Sequence, residues 1–372
     1  MKKPKIVFYG IKYFPSRGGT SRVAENIISQ LKDRYDITIL CYKNKQANTH
    51  MDGVKVVEFS QWPGGSIGAL LYFLKSALYL KFKKFDLIHV HKIDAAFFLP
   101  LFRSKTKIIA TSHESAYLRD KWSSVEKWYL RRAEKIFLNS DATLTCISNP
   151  LTKIYNNGSE VKNVTYIPNG ITIKDDYKEK EANELLKKYQ LQEGEYYFFA
   201  ARRIMKTKGC HTMLEALDKL QFKGKIVIAG DLSHAKEYVA DLKDKYKHLN
   251  VIYPGYIGDL PLLLTLIKKA RLFIFPSETE GMSIMLLEAA STQTPIVASD
   301  IKENKEVFND EHLTFFEDQN SEDLAQQIKL IEANSDMTAQ KAKSAFTHIK
   351  TKYDWANIAN SYDQTYQQTI KH

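Results

Sequence analysis

Short apolar runs alternate with longer stretches of helical periodicity along this chain of 372 residues, and the alternation occurs in two separate series. Such an alternation predicts parallel strands that are covered by helices on both faces of the sheet. The apolar runs predict strands at 5–10, 35–41, 85–91, 106–112 and 142–148, and then at 196–200, 224–230, 250–255, 271–276 and 294–299. We therefore predict an α/β protein with two doubly wound, Rossmann-like domains that face each other across a cleft.

Between the two series, residues 168–184 are polar and charged, which is typical of a linker. We predict a first domain, a second domain and a terminal helix, over residues 1–172, 173–350 and 351–372. The terminal helix has one apolar face, because bulky side chains recur at steps of three and four residues, at Trp355, Ile358, Tyr362 and Tyr366. That face fits either domain, and we predict that the helix crosses back to the first.

Positive charge is confined to the first half of the chain. Residues 1–170 contain 27 Lys and Arg but 13 Asp and Glu, a net charge of +14, whereas residues 171–372 contain 27 and 30, a net charge of −3. Such a half favours an anionic partner, which can be a nucleic acid, a phosphorylated substrate or an anionic membrane surface. The chain has no recognised nucleic-acid-binding motif, so we expect no nucleic-acid partner and keep that function as a distant alternative.

Several features predict a cytoplasmic protein. No run of about 18 uninterrupted apolar residues occurs, and the first residues, MKKPKIVFYG, pass directly into a predicted strand. Cys41, Cys146 and Cys210 are odd in number and fit no metal or redox spacing, which predicts buried reduced thiols. His89 and His91 point to one face of a predicted strand, and we interpret one or both as packed side chains instead of metal ligands.

The segment PSETEGMSIMLLEAAS contains two acids, Glu280 and Glu288, where a strand passes into a helix. Glu280 is predicted in the loop at the carboxyl edge of the sheet, where doubly wound sheets bind ligands. Glu288 is predicted within the helix, which begins at Ser283. The free amides at the helix start suit a phosphate, and the carboxylates suit hydroxyl groups. A diphosphate joined to a sugar meets both requirements.

Glu280 and Glu288 match the E-x7-E signature, so the chain resembles family 4 of the retaining glycosyltransferases, which have the GT-B fold. The following STQTPIVASDIKENKEV resembles that family's turn, strand and E-V segment. ARRIMKTKGC resembles its G-R-L-x-x-x-K-G loop, with Arg203 and Lys208 in the cationic positions and Arg202 in place of the usual glycine. FPSRGGTSRVAENI, TSHES and PGYIGDLPLLL resemble its glycine-rich turn, its histidine segment and the loop that faces the nucleobase.

The resemblance implies a role for each of these residues. It implies catalytic roles for His113, Arg203, Lys208 and Glu280. It implies donor binding by Gly19, Tyr256, Ile257, Met282, Ser283, Ile284 and Glu288. Gly18 and Arg22 are the implied contacts to a phosphate or to the acceptor. His113 would position a sugar hydroxyl or offer its backbone carbonyl near the reacting carbon.

The implied reaction moves a hexose-type sugar from a nucleotide diphosphate sugar to a hydroxyl of a glycan or lipid-linked acceptor, with retained configuration. UDP is the commonest nucleotide in the family. No D-x-D triplet occurs, so we expect neither a metal nor another cofactor, since fixed cations and a helix start can stabilise the departing diphosphate. Neither glutamate is expected at the opposite face of the reacting carbon, which favours front-face attack. A nucleotide-sugar epimerase and an inverting GT-B transferase remain alternatives.

Family 4 enzymes often build cell-surface polysaccharide on lipid-linked acceptors at a membrane. The resemblance therefore implies that the first domain binds the acceptor and that the second binds the nucleotide sugar. We expect the basic first domain to meet an anionic surface, on the inner face of the plasma membrane. The apolar segment 68–85 predicts either an interfacial amphipathic helix or a helix buried against the sheet, and 121–135 is a second basic, aromatic candidate.

Overall fold

A computed structural model of the protein describes residues 3–15, 19–43, 51–102, 106–114, 123–158, 163–173, 176–282 and 284–371. The chain divides into two compact units. The first unit consists of Met1–Gly170 and Trp355–His372, and the second of Ile171–Asp354. Each unit has one parallel β-sheet with helices, which confirms the predicted fold class.

The first unit contains a sheet of seven described strands, all of them parallel: β1 (Lys5–Tyr9), β2 (Asp36–Tyr42), β3 (Val54–Phe59), β4 (Leu87–His91), β5 (Lys107–Ser112), β6 (Thr143–Cys146) and β7 (Thr165–Tyr166). Their order across the sheet is β3-β2-β1-β4-β5-β6-β7. The helices between them are α1 (Gly19–Leu31), α2 (Gly65–Phe82), α3 (Ile93–Ala96), α4 (Ser124–Leu138) and α5 (Asn149–Gly158). Strands β1, β4 and β6 are almost wholly buried because helices cover both faces of the sheet.

The second unit contains a sheet of six described strands, again parallel: β8 (Tyr196–Arg203), β9 (Lys225–Asp231), β10 (Asn250–Gly255), β11 (Leu272–Phe275), β12 (Ile296–Ser299) and β13 (Thr314–Phe316). Their order is β10-β9-β8-β11-β12-β13. The helices are α6 (Glu179–Lys188), α7 (Cys210–Lys219), α8 (Lys236–Lys245), α9 (Leu260–Lys268), α10 (Ile284–Ser291), α11 (Lys302–Val307), α12 (Ser321–Ala333) and α13 (Ser335–Lys352).

The terminal helix, α14 (Trp355–Lys371), belongs to the first unit, as predicted. Its four apolar side chains, Trp355, Ile358, Tyr362 and Tyr366, are each no more than 3% exposed. Polar contacts fix the same face, since the Tyr35 hydroxyl donates to Asp363 over 2.5 Å. The first unit is therefore assembled from two parts of the chain that are far apart in sequence.

All ten predicted strands are present, but three further strands were missed. They are β3, β7 and β13, and each lies at or beside an edge of its sheet. An edge strand is short or only partly covered, so its apolar signal is weak: β7 has two residues, and no residue of β3 is fully buried. The three cysteines are buried and free, as predicted, and burial raises the pKa of the Cys41 thiol to about 12.

The predicted linker at 168–184 is wrong in its last six residues, because residues 179–184 belong to helix α6. The charged side chains that suggested a linker lie on the outer face of this helix, while Ala182 and Leu186 are buried. Glu179 and Glu181 lie in its first turn, and Lys187 and Lys188 lie in its last, an arrangement that the helix dipole favours. A strongly charged sequence was therefore compatible with a short amphipathic helix.

Candidate active site

In each sheet the strand order reverses once, between β1 and β4 in the first unit and between β8 and β11 in the second. In doubly wound sheets a crevice opens at the carboxyl ends of the two strands that flank such a point, and ligands bind there. The main candidates of the second unit lie at this point. Arg203 ends β8, Lys208 lies in the short 3-10 turn that follows, and Glu280 lies in the loop after β11.

The loops after β8 and β11 contact each other through their backbones. Gly209 has a φ of +67°, and a methyl group there would lie 1.8 Å from the Pro276 carbonyl oxygen. The Glu278 amide donates to the Thr207 carbonyl over 3.1 Å. Glycine is thus needed both for the left-handed conformation and for the close approach. These contacts hold the backbone of Lys208 beside the backbone of Glu280.

Lys208 and Glu280 form an ion pair between Nζ and Oε1. Their side chains are 23% and 13% exposed, so the pair is largely shielded from water. The two residues that the family resemblance assigns to the diphosphate and to the sugar are therefore in direct contact. A cation and a carboxylate at the mouth of one crevice can bind the two chemically different ends of a sugar diphosphate.

Arg203 is exposed and follows an irregularity in the pairing of β8 with β9, between Ala200 and Arg203. Such irregularities redirect side chains at strand ends. Its guanidinium lies near Asp231: hydrogen bonds from Ser233 and then the charge of Arg203 lower the pKa of that carboxyl group. Arg203 thus places a second positive charge at the carboxyl end of β8, five residues before Lys208.

The predicted helix after Glu280 is α10, which begins at Ile284. Glu288 is its fifth residue and is 5% exposed, and Met282, just before the helix, is 8% exposed. Ser283 lies outside the described residues, as does Gly18 of the first unit. The loop position of Glu280 and the helical position of Glu288 agree with the sequence analysis.

Tyr256 and Ile257 follow β10, at the outer edge of the second sheet. Tyr256 is 54% exposed, and helix α9 begins soon after it with Asp259 as its cap. Because β9 lies between β10 and β8, these candidate base contacts are about 10 Å along the carboxyl edge from the phosphate candidates. A nucleotide could reach across that distance.

Three ionisable residues near this crevice were not predicted, namely Glu278, His211 and Glu303. His211 Nε2 lies 3.4 Å from Glu278 Oε1, and burial lowers the pKa of His211, so this contact is not a charged pair at neutral pH. Burial and, to a smaller extent, the charge of Glu280 raise the pKa of Glu303. The repeated acids of PSETEG were the available signal for Glu278, but sequence alone does not assign them to different contacts.

In the first unit, Gly19 begins α1, Arg22 lies in its first turn, and His113 directly follows β5. His113 is 7% exposed, and its Nε2 lies 3.2 Å from Nδ1 of His91, the last residue of β4. His91 therefore supports a candidate catalytic residue, a contact that the sequence analysis missed. The Nε2 atom of His91 itself has no hydrogen-bond partner among the described residues.

His89 is packed, as expected, with Nδ1 2.7 Å from the Tyr366 hydroxyl and Nε2 2.7 Å from Thr111 Oγ1. His89 and His91 are both fully buried. Within the described residues no group of three or more His, Cys, Asp or Glu side chains is arranged to hold a metal ion. The histidines of this strand are thus part of the core of the first unit.

The three buried histidines predict that the first unit loses stability in acid. Burial lowers the pKa of His89 and His113 to about 3, and burial together with the charges of His89 and His113 lowers the pKa of His91 well below its ordinary value. In the unfolded chain they bind protons below about pH 6.5, so stability is complete above that pH and falls as pH drops towards 3. Each should contribute a slope of about 1.4 kcal/mol per pH unit in that range.

Urea unfolding between pH 7 and pH 5 measures this slope. Other groups also titrate there, so the informative quantity is the difference between the protein and the variant His91→Phe, which has one fewer imidazole. The free energy of unfolding of the variant should depend less steeply on pH, by at most the one proton that His91 takes up on unfolding. An unchanged slope would mean that His91 is protonated in the folded protein.

Two Rossmann-like units, each with one parallel sheet whose strand order reverses once, have the architecture of the GT-B fold. Residues 17–175 match the family model described as Glycosyltransferase Family 4, and residues 181–348 match the model described as Glycosyl transferases group 1. The two models together account for most of the chain. The protein therefore belongs to family 4 of the glycosyltransferases.

Two similar proteins are named as glycosyltransferases, and one solved structure shares the fold. An O-antigen biosynthesis glycosyltransferase, WclY of Escherichia coli, is 25% identical over 78% of this chain and 81% of its own. The UDP-Gal:alpha-D-GlcNAc-diphosphoundecaprenol alpha-1,3-galactosyltransferase of the same organism is 25% identical over 81% of each chain. The structure of Anabaena Alr3699/HepE in complex with UDP and glucose superposes with a TM-score of 0.80 at 20% identity, over 98% of this chain and 100% of the other.

Proposed function

We propose that this glycosyltransferase moves a hexose-type sugar from a UDP-sugar to a hydroxyl group of a glycan or lipid-linked acceptor, with retention, during synthesis of cell-surface polysaccharide. The observation that carries the proposal is the contact of Lys208 with Glu280 at the crevice of the second sheet. The relatives named for O-antigen biosynthesis and for a diphosphoundecaprenol acceptor support the acceptor class. The neighbour with UDP and glucose supports the donor.

In this mechanism the bond between the anomeric carbon and the diphosphate oxygen breaks, and UDP leaves. Lys208 and Arg203 stabilise the negative charge that develops on the diphosphate, and the amides before α10 add their dipoles. Glu280 accepts hydrogen bonds from sugar hydroxyls, and Glu288 from ribose hydroxyls. With two cations at the crevice and no D-x-D triplet in the chain, the proposal includes no metal or other cofactor.

Retention is proposed to follow from attack on the face that the diphosphate leaves. Glu280 faces Lys208, and Glu288 is 5% exposed within a helix, so neither is presented as a free nucleophile. The acceptor oxygen then bonds to the anomeric carbon, and its proton passes to the departing phosphate oxygen. His113 is proposed to position a sugar hydroxyl and Gly19 to contact the donor. Gly18 and Arg22 are proposed to bind acceptor or phosphate.

The test is to incubate the purified protein with a panel of nucleotide sugars and to follow thermal stabilisation, nucleotide release and the anomer of the product by NMR. One UDP-sugar should stabilise the protein and give a product with retained configuration, equally with and without EDTA. Conversion of a nucleotide sugar in the absence of acceptor would support the epimerase instead, and an inverted product would exclude retention. Lack of any effect from all nucleotide sugars would contradict the donor site.

A membrane surface is the proposed second partner of the first unit. Helix α2 buries one face in the core, but apolar side chains also occupy its outer face, where Ile67, Leu70, Leu78 and Phe82 are 40–74% exposed. The Ser66 hydroxyl donates to Glu126, which joins the start of α2 to the start of α4, near Trp128. Segment 68–85 thus packs on the sheet through one face and presents exposed apolar side chains on the other.

Exposed lysines lie beside this outer face at Lys75, Lys81, Lys83 and Lys84. An apolar surface surrounded by positive charge suits the interface of an anionic bilayer, where apolar contact and charge act together. No helix in the described part of the chain is long and apolar enough to cross a bilayer. We therefore propose peripheral attachment on the cytoplasmic side of the membrane.

The double variant Ile67→Ser, Phe82→Ser should bind vesicles of anionic phospholipid more weakly by a factor on the order of ten, because it removes two exposed apolar anchors. Its fold should be unaffected, since these side chains are 66% and 74% exposed. The matched control is Leu330→Ser, Met337→Ser, which changes two exposed apolar residues of the second unit. Equal co-sedimentation of the two double variants would argue against α2 as the membrane surface.

A further inference from the structure

Lys208 and Glu280 are assigned to different parts of the donor, yet they bind each other. In the proposed reaction Lys208 holds the diphosphate and Glu280 holds sugar hydroxyls. A diphosphate that approaches Lys208 therefore meets a carboxylate already paired with the same ammonium group. Binding of the diphosphate and pairing of Lys208 with Glu280 must compete.

The sugar changes the outcome of this competition. Hydroxyl groups of a bound sugar can donate hydrogen bonds to the Glu280 carboxylate and replace the contact that it loses with Lys208. Free UDP lacks the transferred hexose, and its ribose hydroxyls are assigned to Glu288, so it offers no donors to Glu280. The Glu280 carboxylate would then remain unsatisfied close to a diphosphate of like charge. A partly buried charge without a partner is strongly unfavourable.

The surroundings of Glu280 make an unpaired carboxylate unfavourable there. Its side chain is 13% exposed, and the Glu303 carboxyl lies near enough for the two to interact unfavourably. The backbones of both loops are held together by the contacts of Gly209 with Pro276 and of Glu278 with Thr207. Only the two side chains have to rotate for the pair to open or close.

We propose that Glu280 discriminates a nucleotide sugar from a free nucleoside diphosphate, and that its return to Lys208 after transfer promotes release of the UDP product. This inference rests on the proposed function, because it uses the same donor site. It gives Glu280 a second task after the chemical step. It also explains why the acid and the cation lie in contact instead of apart.

A double-mutant cycle tests the proposal with two probes, UDP and inorganic pyrophosphate, whose dissociation constants are measured by calorimetry. The four proteins are the unmodified chain, Glu280→Gln, Lys208→Met and the double variant. Glu280→Gln should bind both probes about tenfold more tightly, because Lys208 is released from its partner. In the Lys208→Met background, the same change should alter affinity by less than about threefold.

Two outcomes would overturn the proposal. Equal gains in both backgrounds would mean that Glu280 only repels anions, and no gain in the presence of Lys208 would mean that the pair does not compete with the diphosphate. Glu303→Gln is the control for charge alone, since it removes a neighbouring carboxylate but leaves the pair intact. The gain in affinity of Glu303→Gln for UDP and pyrophosphate should be clearly smaller than that of Glu280→Gln. An equal gain would contradict the proposed competition between the ion pair and the diphosphate.

The same proteins separate this inference from the proposed function. Glu280→Gln should lower the preference for a UDP-sugar over UDP, because the amide is a weaker acceptor for sugar hydroxyls than the carboxylate. One result is that the unmodified chain binds no nucleotide sugar while the double-mutant cycle with pyrophosphate still gives the expected coupling between Lys208 and Glu280. In that case the proposed donor would be wrong, but the competition between Glu280 and the diphosphate would stand. The opposite result is binding of a nucleotide sugar without coupling between Lys208 and Glu280. It would leave the proposed function standing and would contradict the proposed role of Glu280 in UDP release.

Discussion

Replacing Glu280 by glutamine is expected to lower the turnover number by roughly 10²–10³-fold while the protein stays folded. The amide keeps the size of the side chain but loses its charge, so its hydrogen bonds to sugar hydroxyls are no longer charge-assisted. The sugar is then less well aligned for transfer. Steady-state kinetics with the best UDP-sugar of the panel, together with thermal unfolding, measures both parts of this expectation.

The control for Glu280→Gln is Glu311→Gln, which removes a carboxylate from an exposed position of the same unit. It should keep the original turnover and melting temperature. Retention of full turnover in Glu280→Gln would remove Glu280 from the site. A drop in turnover accompanied by loss of the folded state would instead assign it a structural role.

Replacing Gly209 by alanine is expected to destabilise the second unit by about 3 kcal/mol or more. The methyl group would lie 1.8 Å from the Pro276 carbonyl oxygen, at a residue whose φ is +67°. The chain must then move the loop of Lys208 away from the loop of Glu280, so activity should fall as well. Urea unfolding of the variant measures the loss of stability.

Gly194 provides the matched control, because its φ is +75° but nothing lies within 4 Å of the position of an added methyl group. Gly194→Ala carries only the left-handed penalty, of about 1–2 kcal/mol. The difference between the two alanine variants isolates the contact with Pro276. Equal losses of stability would show that the two loops are not in close contact.

The strands that were predicted from sequence are the inner strands of the two sheets, together with the edge strand β10. A parallel strand that is covered on both faces is a continuous apolar run, such as LFIF in β11, and this signal is independent of the rest of the fold. The edge strands β3 and β13 lack it, because part of each is open to solvent and polar residues are tolerated there. These segments form strands by pairing with neighbouring strands, and the amino-acid sequence does not show which strands are neighbours.

The sequence analysis assigned individual residues to a site but did not predict the contacts between them. The family resemblance assigned Glu280 and Lys208 to one ligand. Their pairing depends on the close approach of two loops, which Gly209 permits although it lies 67 residues before Pro276 in the chain. The contact of His91 with His113 depends on the adjacency and register of β4 and β5, in which His91 faces Thr111. Alternation along a strand predicts the face of a side chain, whereas register decides its neighbour.

The position of α14 has a consequence for biosynthesis. The ribosome makes this helix only after the entire second unit has been made, yet its aromatic face fills the core of the unit whose synthesis began first. The second unit can therefore mature on the nascent chain, while the amino-terminal one waits with Tyr35 and His89 uncovered. A protein that is translated from its amino terminus thus completes its two halves in reverse order.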